Sequence, residues 1–117
     1  MQLEAIEIET APSPQTSIII LHGLGADGSD FVPVCQELDL RAMGPVRFVM
    51  PSAPVMPVSI NGGYEMRAWY DILPTNDPAR REDEASLRRS HQAINALIER
   101  EVQRGIASAR IVLMGFS

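Results

Sequence analysis

The chain has almost no cysteine, since Cys35 is the only one among its 117 residues. A single cysteine excludes an intrachain disulfide and any zinc site built from several cysteines, and it is typical of a protein kept in a reducing compartment. No cysteine motif surrounds Cys35, and isolated cysteines commonly fill small apolar spaces in a core. We therefore expect a cytoplasmic protein in which Cys35 is a packing residue.

The chain also lacks long apolar runs and clusters of positive charge. Its longest apolar stretches, such as residues 18–21, are far shorter than the roughly 20 residues that span a bilayer as a helix. The first sixteen residues hold three glutamates and neither a basic nor an unbroken apolar segment, so they do not form a secretory signal. The net charge of −5 is spread along the chain, which disfavours nucleic acids and anionic lipids as partners. The sequence therefore predicts neither a membrane span nor a nucleic-acid partner.

Apolar residues make up 45% of the chain, enough for a buried core, and they are grouped in short runs. Residues 17–21, 46–50 and 110–114 are compact and largely apolar, which is typical of strands covered on both faces of a parallel sheet. Residues 3–10 alternate loosely before two prolines and predict an edge strand. The chain has no repeat and no break that would divide it, so we expect residues 1–117 to belong to one domain.

Helical patterns separate these strands. The first helix is predicted from a cap at Asp27 or Ser29 to about Leu38, and the second over residues 82–104, before Gly105. Their expected apolar faces are Phe31, Val34, Cys35 and Leu38 in the first helix, and Leu87, Ile94, Leu97, Ile98 and Val102 in the second. Strands that alternate with helices predict an α/β fold with right-handed crossovers. Residues 51–78 hold five prolines and two glycines, and such a long connection is a candidate for shaping a substrate pocket.

A glycine-rich turn, Leu-His-Gly-Leu-Gly-Ala-Asp-Gly at residues 21–28, follows the predicted strand 17–21 directly. Gly23, Gly25 and Gly28 match G-x-G-x-x-G, the fingerprint of dinucleotide-binding oxidoreductases. That class also needs an acidic residue at the end of the next strand to bind the ribose. Here the strand 46–50 is followed by Pro-Ser-Ala-Pro, so dinucleotide binding is the weaker interpretation.

The last predicted strand leads into Gly115, Phe116 and Ser117, the first part of a G-x-S-x-G nucleophile elbow. In such an elbow a tight, strained turn between strand and helix lifts the serine hydroxyl above the edge of the sheet. Small residues on either side of the serine make that turn sterically possible. A Gly-x-Ser sequence alone is a weak signal, but the apolar strand directly before it strengthens the interpretation.

Four segments in this order, LHGLGADG, INGGYEM, WYD and the terminal MGFS, resemble the carboxylesterase and acyl-protein thioesterase family of α/β-hydrolases. The resemblance extends over nearly the whole chain. It implies an α/β-hydrolase fold, a mostly parallel sheet with helices on both faces, of which this chain holds the N-terminal half. It further implies cleavage of carboxylic esters or thioesters by a serine nucleophile.

The resemblance also assigns roles to single residues. Ser117 is the expected nucleophile, and the backbone N–H of Leu24 is expected to donate to the oxyanion. The expected loop-shaping residues are His22, Gly23 and Gly25, and the residues expected to border the substrate cleft are Ile60, Met66 and Trp69. In the family the triad aspartate and histidine follow the serine, whereas His22 and His91 both precede Ser117, so neither histidine occupies the triad position.

The resemblance implies no metal ion and no organic cofactor. The expected substrate is a small-molecule ester or an acylated molecule, and a homodimer is compatible with the sequence. Since the triad aspartate and histidine are not among the 117 residues, we expect the chain to be incomplete and inactive by itself. An alternative of a different class is therefore an inactive fragment that only binds a complementing chain.

Overall fold

The computed structural model describes residues 3–116, and its centre is a four-stranded mixed sheet in the order β1-β3-β2-β6. The strands of this sheet are β1 (Ala5–Glu9), β2 (Thr16–Leu21), β3 (Val46–Pro51) and β6 (Ile111–Gly115). Strand β2 is parallel to both β3 and β6, whereas β1 pairs antiparallel with β3. The four strands predicted from the sequence are confirmed to within one or two residues, and so is the edge position of β1.

Helices cover both faces of this sheet, α1 (Val32–Glu37) on one side and α2 (Glu84–Gln103) on the other. Ile18, Phe48 and Cys35 belong to the cluster beneath α1, and Ile19 and Val49 pack against α2. Alternate residues of β2 and β3 therefore point to opposite layers, which explains why nearly every residue of these two strands is apolar. None of the helices within residues 3–116 has the length and apolar character needed to cross a membrane.

The expected apolar face of the first helix is wrong at two positions. Val34 is 40% exposed and Leu38 is 42% exposed, while Phe31, Val32 and Cys35 pack against the sheet. The reason is that the predicted helix is divided into a 3₁₀ turn, Gly28–Phe31, and a short α1. A 3₁₀ turn has three residues per turn, so it changes which side chains share a face.

The second helix begins and ends close to the predicted residues, but its buried face differs at both ends. Leu87 and Val102 are exposed, and the buried positions include Ser86, Ser90 and Glu101. Each of these three polar side chains has a hydrogen-bond partner, which makes its burial tolerable. The spacing of apolar residues alone therefore predicted the wrong buried residues at the two ends of α2.

Residues 51–78 contain a β-hairpin that the sequence did not predict. Strands β4 (Val55–Val58) and β5 (Tyr64–Arg67) pair antiparallel as a separate two-stranded sheet. The turn between them needs positive φ at Gly62 and Gly63, at 68° and 81°, a conformation that glycine adopts at little cost. Pro57 lies within β4, and a strand tolerates proline only where no hydrogen bond to the neighbouring strand is needed. The proline therefore makes this segment look unlike a strand in the sequence.

A buried ionic cluster connects the sheet to α2. Glu101 is 0% exposed, and its carboxylate accepts hydrogen bonds from Ser17 Oγ at 2.6 Å, Arg47 Nη1 at 2.8 Å and Arg104 Nη1 at 2.9 Å. Burial raises the pKa of Glu101, but these donors lower it by more, so the pKa lies below its usual value. Arg104 also binds Glu7 on β1, and the cluster therefore ties the edge strand to the helix.

Candidate functional site

His22 is the first residue after β2, and it is almost completely buried, at 1% exposure. Its Nε2 accepts a hydrogen bond from the Ala53 N–H at 2.9 Å, and its Nδ1 lies 2.7 Å from Gly23 O. Because Nε2 must keep its lone pair to accept, the proton of the neutral ring resides on Nδ1. His22 therefore donates to the carbonyl of the next residue and fixes the beginning of the loop 22–28.

Two glycines in this loop allow close backbone contact with neighbouring segments. Gly25 has a φ of 79°, and its N–H donates to Arg67 O on β5 at 2.9 Å. Gly28 donates to Ser52 Oγ at 2.9 Å, and a Cβ at this position would lie 2.3 Å from Met50 O. A side chain at Gly28 would thus collide with the backbone of β3. The loop is held against both β3 and the hairpin.

Leu24, in this loop, borders a small cavity. Within residues 3–116 its N–H has no hydrogen-bond acceptor, and its side chain is 46% exposed. A cavity of about 220 Å³ lies beside it, with His22, Ile72 and Phe116 among its lining residues. Leu24 therefore combines an N–H that has no acceptor among residues 3–116 with a position beside a cavity, and an oxyanion hole requires both.

Trp69 belongs to both the core and the site. Its indole Nε1–H donates to His22 O at 2.8 Å, and its ring centroid lies 5.1 Å from that of His22. Its own carbonyl accepts from the Ser90 hydroxyl of α2, and its ring packs against the cluster under α2. The side chain also lines the 220 Å³ cavity. Trp69 thus packs against the core and also lines a cavity, while its role at a substrate pocket stays a prediction.

A larger and mostly apolar cleft of about 890 Å³ lies between α2 and β6. Its apolar lining includes Leu21, Leu87, Ile94, Leu113 and Phe116. It shares His22, Trp69, Tyr70 and Phe116 with the smaller cavity. Leu24 lines the smaller cavity and not the larger one, so the smaller one is the candidate site for chemistry.

The other residues expected at the cleft lie on or near the hairpin. Ile60 is 48% exposed in the turn after β4, and Met66 on β5 is half-buried, with its Sδ 3.9 Å from where a Cβ on Gly25 would be. Neither residue lines the two cavities next to the loop 22–28. Ile72, which does line the smaller cavity, carries no sequence signal of its own.

The strand order brings the expected elbow next to this loop. Leu21 and Gly115 are paired in the parallel register of β2 and β6, and the Phe116 N–H donates to Leu21 O at 3.2 Å. The Phe116 ring stacks on Phe31, with centroids 4.7 Å apart. Ser117 itself lies outside the described residues. His91 is exposed on α2 and lines only the larger cleft.

Asp71 and Asp27 use their carboxylates to hold loops. Asp71 accepts from Ser59 N at 2.7 Å and from Ser59 Oγ at 2.6 Å, which fixes the turn of the hairpin. Asp27 accepts from Ser29 N at 2.8 Å at the start of the 3₁₀ turn. The side-chain and backbone hydrogen bonds from Ser29 lower the pKa of Asp27. The residues between 3 and 116 contain no group of three or more His, Cys, Asp or Glu side chains arranged to hold a metal ion.

The sequence model of the phospholipase/carboxylesterase family matches residues 2–117. The chain belongs to this family. The phospholipase/carboxylesterase relatives include acyl-protein thioesterase 1 of Mycosarcoma maydis, 40% identical over 113 residues that cover 89% of this chain and 47% of that protein. Acyl-protein thioesterase 1 of Cryptococcus neoformans is 36% identical over 117 residues, which cover 98% of this chain and 49% of the relative.

Solved structures agree with this assignment to the phospholipase/carboxylesterase family. The crystal structure of Arabidopsis thaliana SOBER1 matches with a TM-score of 0.78 at 29% identity, over 87% of this chain and 49% of that one. Zea mays acyl-protein thioesterase 2 matches with a TM-score of 0.72 at 23% identity, over 97% and 46% of the two chains, and this likeness shows the fold. The expected α/β-hydrolase fold is confirmed. The chain spans about half the length of the curated relatives that it matches.

Proposed function

We propose that the protein is a serine hydrolase that cleaves carboxylic esters or thioesters through an acyl-enzyme on Ser117. The observation that carries this proposal is the parallel pairing of β2 with β6, in which Leu21 is opposite Gly115. Because the carboxyl ends of parallel neighbours meet at one edge of a sheet, the loop with the free Leu24 amide and the segment leading to Ser117 come together there. Family membership supports the same chemistry.

The reaction begins when the Ser117 hydroxyl attacks the carbonyl carbon while a histidine, oriented by an acid, removes its proton. The Leu24 N–H donates to the oxygen, which becomes negatively charged only in the tetrahedral intermediate, so the donor favours the transition state over the bound substrate. The leaving alcohol or thiol takes the proton. Water then attacks the acyl-enzyme, releases the acid and restores Ser117.

We extend the proposal to the domain, the cellular location, the substrate and the oligomeric state of the protein. We place residues 1–117 in one α/β-hydrolase domain as its N-terminal part, with Ile60, Met66 and Trp69 close to the substrate. The free, buried Cys35 supports a cytoplasmic location, and the net charge of −5 argues against nucleic-acid partners. The substrate is a small-molecule ester or an acylated molecule, and a homodimer is the oligomeric state to test.

The first experiment expresses the protein from its complete reading frame, measures its intact mass and treats it with a fluorophosphonate serine probe. We expect one label on Ser117, none in Ser117→Ala, and hydrolysis of p-nitrophenyl esters only by the unsubstituted protein. Ser108→Ala, at an exposed position before β6 and thus at the opposite end of that strand from Ser117, is the matched control and should label normally. Labelling of Ser117→Ala at the unsubstituted level would refute the proposed nucleophile.

A second candidate function is binding of a complementing chain. It is favoured by the open edge of β6, which has a strand partner on only one side among residues 3–116, and by the exposed Val112 and Leu113, at 41% and 51%. An unpaired strand edge is a template for further pairing. If the intact mass equals that of 117 residues and the probe gives no label, this candidate replaces the hydrolase.

A further inference from the structure

We propose that His22 is a positioning residue, whose imidazole sets the direction in which the Leu24 N–H points. This inference rests on the proposed function, in which that N–H donates to the oxyanion. It assigns to His22 no proton transfer with substrate. The role follows from three contacts that hold the residue and from the geometry of one peptide unit.

The imidazole ring of His22 is held by hydrogen bonds. His22 is buried, and both of its nitrogens are used, Nε2 by the Ala53 N–H at 2.9 Å and Nδ1 by Gly23 O at 2.7 Å. The Ala53 N–H allows only the tautomer that carries its proton on Nδ1. Trp69 adds a third contact, since its indole donates to His22 O at 2.8 Å. The imidazole therefore has one orientation and one tautomer, and it presents a fixed donor to Gly23.

The contact between His22 and Gly23 O orients the peptide unit between Gly23 and Leu24. This unit is trans, and in a trans peptide the C=O and N–H bonds point in opposite directions. Holding Gly23 O against the imidazole at 2.7 Å therefore turns the Leu24 N–H away from the ring. The Ala26 N–H, 3.2 Å from the same oxygen, supports that orientation.

The hydrogen bond from His22 to Gly23 O restricts rotation of the 23–24 peptide unit. Gly23 has no side chain, so its ψ, the torsion that precedes this peptide unit, is less restricted than at other residues. If the unit rotated by half a turn, the carbonyl of Gly23 would face the cavity and repel an oxyanion. The hydrogen bonds from His22 and from the Ala26 N–H to Gly23 O hold the present orientation, and the bond from His22 is the shorter of the two.

The test uses two substitutions that each keep one half of the imidazole. The amide nitrogen of His22→Asn lies near the position of Nδ1 and can donate to Gly23 O, but it leaves the Ala53 N–H without its acceptor. The amide of His22→Gln reaches the position of Nε2 and can accept from Ala53, but it cannot donate to Gly23 O. Each variant loses one buried hydrogen bond, so the two should be similarly destabilised.

The measurement is esterase kinetics on the protein expressed from its complete reading frame. We expect kcat to fall about 10- to 100-fold in His22→Gln, approaching the loss seen when an oxyanion donor is removed, with KM nearly unchanged. His22→Asn should keep kcat within about 3-fold of that of the unsubstituted protein, because it can still donate to Gly23 O. A 3-fold ratio corresponds to roughly 0.6 kcal/mol of activation free energy. Equal losses of kcat in the two variants, or a loss expressed in KM alone, would overturn the inference.

Crystal structures of the same two variants give a readout that does not depend on activity. We expect the 23–24 peptide unit to rotate in His22→Gln and to keep its orientation in His22→Asn. An unchanged unit in both variants would refute the role of His22 even if Ser117 is the nucleophile. If the protein has no esterase activity but the unit rotates only in His22→Gln, then the hydrolase proposal is wrong and the positioning role is right.

Discussion

Trp69 stabilises the loop 22–28 through one hydrogen bond, because its indole N–H binds His22 O at 2.8 Å. Trp69→Phe removes this donor and part of the ring, so we expect the free energy of unfolding to fall by about 1–3 kcal/mol. Urea unfolding followed by circular dichroism measures the change. Tyr70→Phe is the matched control, since the Tyr70 hydroxyl has no hydrogen-bond partner among residues 3–116. A comparable loss in Tyr70→Phe would show that the effect is not specific to the indole donor.

Glu101 makes stability depend on pH in the acid range. Its pKa is lowered in the folded state because Ser17 and the arginines donate to the carboxylate, against the opposing effect of burial. A lowered pKa adds stability that is complete above the unfolded value of about 4.3 and is lost as pH falls through the folded pKa. We therefore expect the unfolding free energy to drop steeply below about pH 4.3, as measured by urea titrations at several pH values.

The variant Glu101→Gln tests this assignment. At pH 7 it should be destabilised by about 2 kcal/mol, because the buried guanidinium of Arg47 loses one of its two carboxylate partners and keeps only Glu9. Its unfolding free energy should also decline less steeply in acid. Glu99→Gln, on the exposed side of the same helix, should behave like the unsubstituted chain. If the acid dependence of Glu101→Gln matched that of the unsubstituted chain, the source would lie in other carboxylates such as Glu7, whose pKa Arg104 also lowers.

At the scale of elements, helix α2 is followed by a residue that has a positive φ. Gly105 follows the helix with a φ of 98°, and its N–H donates to Val102 O at 3.0 Å. Gly105→Ala should lower the unfolding free energy by about 1–2 kcal/mol, because a Cβ is strained in this conformation. Gly105→Asn should cost less, since asparagine tolerates left-handed backbone better than alanine does. Urea unfolding would contradict this explanation if asparagine cost as much as alanine.

The elements that could be predicted are those with a strong local signal. Strands β2, β3 and β6 are apolar runs, and α2 has a helical apolar period that ends before Gly105, so the sequence alone located them. The hairpin β4–β5 could not be predicted, because Pro57 interrupts its pattern and half of its residues are exposed. The burial of Glu101 depends on Arg47, which is 54 residues away along the chain, and no local pattern contains that partner.

The candidate site was only partly within reach of the sequence. The motifs located the loop 22–28 and the elbow, and parallel strand order explains why they are neighbours. The hydrogen bonds of His22 with Ala53 and Gly23 depend on how separate loops pack, so they required the structure. The roles of Leu24 and Ser117 in catalysis stay predictions, as do those of Ile60 and Met66.

For the whole molecule, the open edge of β6 predicts self-association of the 117-residue chain. Leu113 is 51% exposed on this edge, so Leu113→Lys should weaken association, because a charge on an edge strand opposes further pairing. Sedimentation velocity at several concentrations measures it. Val55→Lys is the control, since Val55 is 56% exposed on the hairpin. An equal effect of both substitutions would mean that general surface hydrophobicity, and not the edge, drives association.

The strand order also sets the sequence in which the molecule can fold. Strand β2 meets β3 across a short stretch of chain but meets β6 only across 94 residues, since Ser17 pairs with Ile111. Closing the longer loop costs more chain entropy and slows folding, and during synthesis β6 leaves the ribosome after β1 to β5. The chain's only tryptophan is Trp69, whose indole lies against His22. Its fluorescence therefore distinguishes a refolding molecule that has assembled the loop 22–28 from one that has not.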